Sequence, residues 1–122
     1  MHIAKDLVAA SATPLVLGIL AEEESYGYAI LKEISERSGG RLEWTEGLLY
    51  PLLHRLERLG YVEATWRTPE GGRRRKYYAI TEDGRKELAE QRKQWAAVTE
   101  ALQDIWKATR SIGPIAPPVL EG

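Results

Sequence analysis

Four cations follow one another at Arg73, Arg74, Arg75 and Lys76, with Gly71-Gly72 before them and Tyr77-Tyr78 after. Consecutive like charges repel, so a polyanionic partner is an economical account of them, and a solvated hairpin tip is the plainer one. A second polar set recurs at helical spacing: Tyr50, His54, Arg55 and Arg58, preceded by Thr45, Glu46 and Gly47. Such a set suits a helix whose first turns meet the base edges of a nucleic acid, although a solvated helix face has the same composition. Catalytic chemistry finds little support. The chain has no cysteine, its only histidines are His2 and His54, and it has neither a Gly-rich phosphate loop nor a nucleophile motif. Neither histidine has a second ligand at helical spacing, so no metal, no cofactor and no enzyme activity are expected.

The elements that must position these residues can be read from periodicity. Leu49, Leu52, Leu53, Leu56 and Leu59 form an amphipathic stripe, which predicts a third helix over 46–59, capped by Thr45 and stopped by Gly60. Pro51 lies inside it and predicts an irregular first turn. Upstream, Thr13-Pro14 reads as the cap and first position of a buried helix. Mid-helix Gly18 suggests that another element packs close to it. Ser25 reads as the cap of a second helix, from Tyr26 to Arg37, ended by Ser38-Gly39-Gly40. Downstream, Tyr61–Arg67 and Arg74–Ile80 alternate and are joined by turn residues, giving a hairpin with a basic tip. The alternation places Val62, Ala64, Trp66, Tyr78 and Ile80 inward, and Arg75 and Tyr77 outward.

Thr81 then caps a fourth helix with no breaker before Gly113. A helix to Arg110 would be about 43 Å long at ~1.5 Å per residue. Leu88, Trp95, Val98, Leu102 and Ile105 stand at coiled-coil spacing along it, with Gln91 the polar member. Such a seam needs a partner, and a second copy is the simplest one. Trp95 and Trp106 are three turns apart and fall nearly on one face. They read either as anchors of the dimer seam or as the walls of a pocket for a small, planar, hydrophobic or aromatic effector. Residues 111–122, with Pro114, Pro117 and Pro118, read as a flexible tail.

Length and charge fit this plan. A chain of 122 residues is one domain with an appendage, and 43% apolar with 29% charged residues is an ordinary globular composition. The longest apolar run, Pro14 to Ala21, is too short to span a bilayer or to act as a secretory signal, so no membrane and a cytoplasmic address are expected. Net charge is −1, yet residues 41–78 carry 8 cations against 5 acids while residues 1–40 carry 3 against 6. A local basic surface matters more for phosphate than the total does.

The fold expected is mainly α with a small β-hairpin. It comprises a winged helix-turn-helix domain over residues 1–81, a dimerisation helix over 82–110 and the tail, with the N-terminal helix also free to join the dimer interface. The order of elements and their residues resemble the PadR family of bacterial transcriptional regulators, in its short form. The resemblance runs over residues 7–106. It rests on Pro14–Leu20, Ser25-Tyr26-Gly27-Tyr28-Ala29-Ile30, Leu49-Tyr50-Pro51 through Glu57, Gly72 through Thr81, and Trp95. One departure is Leu48, where the family usually has Thr. The resemblance implies a homodimeric repressor whose third helices read palindromic double-stranded DNA. It places Pro51 at the family's own position in the recognition helix and Tyr26 at the DNA backbone. The residues assigned to DNA are thus Tyr26, Thr45, Glu46, Gly47, Tyr50, His54, Arg55, Arg73, Arg74, Arg75, Lys76 and Tyr77. Those assigned to the dimer are Leu88, Trp95, Val98, Leu102, Ile105 and Trp106. The competing readings are a winged-helix module for protein–protein assembly and a ligand-binding dimer that does not bind DNA.

Overall fold

The apolar stripes condense into helices around one core. The computed structural model describes residues 1–109. Its elements are α1 (Lys5–Glu22), β1 (Ser25–Tyr26), α2 (Gly27–Arg37), α3 (Glu46–Arg58), β2 (Val62–Arg67), β3 (Arg75–Ile80) and α4 (Glu82–Thr109). The strands form an antiparallel sheet in the order β1-β3-β2. Residues 1–89 are one compact unit, and a second unit begins at Glu90 within α4. The tail at 111–122, together with Arg110, lies outside the described residues. No helix among the described residues is long and apolar enough to cross a membrane.

The core of the first unit is drawn from every layer: Val16, Leu17 and Leu20 of α1, Ile30 and Ile34 of α2, Leu49, Leu53 and Leu56 of α3, with Val62 and Tyr78 from the sheet. Burial raises the Tyr78 phenol above its ordinary pKa, and nearby Lys76 acts in the opposite direction. α2 and α3 both end in the same hydrogen-bonded form. Gly40 N–H donates to Ser35 O at 2.8 Å and Gly39 N–H to Glu36 O at 3.1 Å; Tyr61 N–H donates to Leu56 O at 2.9 Å and Gly60 N–H to Glu57 O at 3.1 Å. Gly39 and Gly60 hold the positive φ, 65° and 81°, that this ending requires.

Five local expectations are corrected. α1 begins at Lys5, not at Pro14, and carries Pro14 inside. Pro14 leaves one carbonyl without its helical N–H, but Val8 before it and Val16, Leu17 and Leu20 after it pack on the same core, so burial holds the helix together across the break. Gly18 has open space where a Cβ would stand, so no described element packs close to it there. Ser25 and Tyr26 are a strand, not the start of a helix: they pair with Tyr78 and Tyr77, and α2 begins one residue later at Gly27. The hairpin is thereby extended to three strands. α3 is helical through Pro51, with no irregular first turn, because the Gly47 carbonyl that Pro51 cannot serve lies on an exposed turn. Leu59 is the C-terminal cap residue of α3 and is 54% exposed, the stripe having turned away from the core.

Two exposed ion pairs tie the elements. Arg37 of α2 makes two hydrogen bonds to the Glu22 carboxylate at the end of α1, both 2.9 Å, and holds that carboxyl below its usual pKa. Arg67 at the end of β2 likewise bonds Glu24, just before β1, and lowers its pKa.

The start of α4 is docked on the corner that follows α3. Thr81 Oγ1 donates to Gly60 O at 2.6 Å and accepts from Gly84 N–H at 3.0 Å, which is N-capping as the sequence predicts. A Cβ on Gly84 would stand 2.8 Å from Ile80 Cγ1 and 3.0 Å from the Tyr61 carbonyl carbon, with the Tyr61 oxygen closer still. Helix propensity alone would make Gly84→Ala stabilising by up to ~1 kcal/mol. The backbone contact reverses the sign: the substitution is expected to destabilise by about 1–3 kcal/mol, read as a lower urea midpoint with unchanged slope. A raised midpoint would show that this corner yields more freely than its geometry implies.

Candidate nucleic-acid interface

Gly27, at the junction of β1 and α2, is the hinge point of the site. It is buried, and a Cβ there would lie 2.6 Å from Tyr50 Cζ and closer to its hydroxyl. Only glycine lets the Tyr50 ring cross from α3 to the start of α2. Tyr50 is therefore half-buried and held, while His54, one turn on, is exposed. Facing them, the wing formed by β2 and β3 carries Trp66 and the four cations. Together these groups line an open cleft of about 600 Å³: Tyr26, Gly27 and Tyr28 at one end, Tyr50 and His54 on α3, and Trp66 with Arg73 to Lys76 and Tyr78 on the wing.

The wing cations are not equivalent. Lys76 is paired with Glu57 of α3 at 3.6 Å and lies 5.5 Å from the Tyr78 ring centroid, so the run is not four unneutralised charges as the sequence suggests. Arg75 stacks on Tyr26, at 4.4 Å, and Arg74 stacks on Trp66, at 4.5 Å. Arg73 at the tip is exposed and makes no ion pair among the described residues. Tyr26 and Tyr77 meet edge to face with centroids 5.3 Å apart, and Arg67 covers Tyr77 at 4.7 Å. Tyr26 is thus a packed member of a stack, not a side chain standing at a bare helix N-terminus.

Other assigned residues are placed apart. Thr45, Glu46 and Gly47 are exposed at the start of α3 but do not line the cleft. Thr45 occupies the N-cap position with no side-chain bond to the helix. A Cβ on Gly47 would meet only Thr45 Oγ1, at 3.7 Å, so nothing among the described residues requires glycine there. Arg55 is exposed and its Nη2 reaches Thr13 Oγ1 of α1 at 3.4 Å, away from the cleft.

Sequence reasoning overlooked Tyr28 and misplaced Trp66. Tyr28 is 68% exposed and Trp66 53% exposed. Alternation puts Trp66 on the same face as Val62 and Ala64, which is correct, but burial fades along β2 toward the wing tip and no core lies beneath it. A signal was available: Trp66 stands opposite Lys76 in the hairpin register, and an aromatic across from a basic run is suited to stacking.

The second unit carries the other positions expected on a seam. Trp95 is half-exposed, while Val98 (51%), Leu102 (39%), Ile105 (60%) and Trp106 (55%) are exposed. Leu88, expected on that seam, packs instead against the core of the first unit.

Comparison with known proteins accords with this geometry. Residues 16–90 match the family model of the PadR-like transcriptional regulators. An uncharacterized protein X of Lysinibacillus sphaericus is 35% identical over 97 residues, covering 80% of this chain and 89% of that protein. The transcriptional regulator YqjI of Escherichia coli is 33% identical over 89 residues, 73% of this chain but only 41% of that protein's length. Among solved structures, a transcriptional regulator from Clostridium thermocellum superposes with a TM-score of 0.77 at 28% identity, covering 84% of this chain and 96% of the other. A PadR-like regulator from Bacillus cereus gives 0.74 at 27%, covering 84% and 97%. With the family model matched over residues 16–90, the chain belongs to the PadR-like family of transcriptional regulators, which are not enzymes.

Proposed function

We propose that this regulator is a homodimeric repressor that binds palindromic operator DNA and is released by a small planar hydrophobic or aromatic effector. The observation that carries the DNA part is the cleft, where the His54 side of α3 faces three arginines that make no ion pair among the described residues. α3 supplies base contacts from its first turns and from His54, while Arg73, Arg74 and Arg75 supply phosphate contacts, which fix position without reading sequence. Tyr50 packs its hydroxyl end against Gly27 at the start of α2 and lines the same cleft. The apolar face of Val98, Leu102 and Ile105 supports pairing of two chains. A cytoplasmic address goes with this reading.

Two tests separate its parts. Reporter transcription from a promoter carrying the bound duplex should fall when the protein is present; a rise would make it an activator. A panel of planar hydrophobic cations and phenolics should quench tryptophan fluorescence and release labelled duplex, and both effects should vanish in Trp95→Ala. Absence of quenching across the panel would leave Trp95 and Trp106 as packing residues and remove the effector from the account.

A further inference from the structure

Trp66 has no core duty to explain it. It is 53% exposed, on a strand whose burial has already faded, and its indole carries the guanidinium of Arg74 at 4.5 Å from the ring centroid. Arg74 lies just beyond the β2–β3 ladder, whose last paired residues are Arg67 and Arg75. An arginine at such a place is otherwise free to sample many rotamers. The other wing cations are placed differently. Lys76 is held by Glu57, Arg75 is half-buried on Tyr26, and Arg73 is exposed at the tip with no ring contact among the described residues. Arg74 alone is both exposed and oriented by an exposed aromatic.

Stacking uses the face of the guanidinium and leaves its N–H edge available. That edge is the part that binds a phosphate in two-pronged fashion. We propose that Trp66 is a positioning residue for DNA binding: it pre-orients Arg74 toward a backbone phosphate and acts through that arginine alone. This rests on the DNA-binding reading given above. Holding the side chain in its bound geometry removes an ordering cost at the moment of association.

The test is a double-mutant cycle on the full chain, with affinity for a selected duplex measured by fluorescence anisotropy. Trp66→Ala should weaken binding roughly threefold to fivefold for each chain on the duplex, the range set by an exposed cation–π contact. Trp66→Phe, which keeps an aromatic face, should stay within about twofold of the parent for each chain. In an Arg74→Ala background, Trp66→Ala should cause no further loss, because the residue it positions is gone. Trp66→Gln is run in parallel and should repeat the Trp66→Ala result, so a single poorly folded variant does not decide the matter. Losses that multiply across the cycle would overturn the proposal, since Trp66 would then act independently of Arg74. So would equal losses in Trp66→Ala and Trp66→Phe, or an Arg74→Ala defect with none in Trp66→Ala. If the parent chain binds no duplex at all, it is the DNA-binding reading itself that fails, an outcome distinct from each of these.

Discussion

Replacing Arg73, Arg74 and Arg75 together by Ala is expected to weaken operator binding about ten-thousandfold at ~0.1 M monovalent salt. Each phosphate neutralised on duplex DNA contributes roughly −0.9 to the slope of log affinity against log salt. Two to three lost contacts per chain, doubled in a dimer that sets both wings on one duplex, therefore lower the slope by about 4–5, and near 0.1 M that is about four decades in affinity. The loss should be nearly the same for operator and unrelated duplex, because phosphate contacts carry no sequence information. Lys76→Ala should behave differently. Its ammonium is already engaged by Glu57, 3.6 Å away, so its removal should disturb the junction of wing and α3 more than the salt slope. Anisotropy titrations across a salt series would measure both. A slope unchanged in the triple variant would mean that the arginines are a solvated tip.

Leu102→Asp combined with Ile105→Asp is expected to produce a monomer whose operator affinity falls by orders of magnitude. Val98, Leu102 and Ile105 lie on one face of α4 and are all exposed in the single chain. Fully burying such a side chain contributes ~1.5–3 kcal/mol. A carboxylate placed in that seam would be desolvated without a partner, which is strongly destabilising to the association. The residues that carry the core of the first unit all lie before Glu90, so its own melting should be little changed. Sedimentation velocity gives the mass, and anisotropy gives the affinity. A monomer that binds operator as tightly as the parent would show that pairing is dispensable; a persistent dimer would move the interface elsewhere.

What the sequence made legible follows from strong local periodicity. Leu49, Leu52, Leu53 and Leu56 of the α3 stripe, the caps at Thr81 and after Arg37, and the alternation of Tyr78 and Ile80 were each set by near neighbours, and each stands in the structure. Features decided by distant residues were not legible. Two residues, Ser25 and Tyr26, are too few to show a strand period, and only their pairing with β3 makes them one. Pro14 carries the local mark of a helix start, yet packing on both sides of it extends α1 to Lys5. Gly84 shows nothing in sequence of the Tyr61 backbone pressed against it.

The site divides in the same way. The polar face of α3 and the basic run could be read as sets of residue types, but their engagements could not. Arg55 is turned to Thr13, Lys76 to Glu57, and Tyr26 is in contact with both Arg75 and Tyr77. Leu88 satisfies the heptad spacing and is nonetheless half-buried against the first unit's core. Gly27 is the opposite case. It was visible only as a spacer between two tyrosines, and the structure makes it the contact that fixes Tyr50.

The central claim is that two copies of this chain present two α3 helices and two wings to one duplex. Selection of bound sequences from a random pool of double-stranded DNA tests it most directly. The account predicts enrichment of an inverted repeat, with half-site centres about a whole number of helical turns apart, ~10 bp each. Enrichment of a single asymmetric half-site, or of no sequence at all, would contradict it.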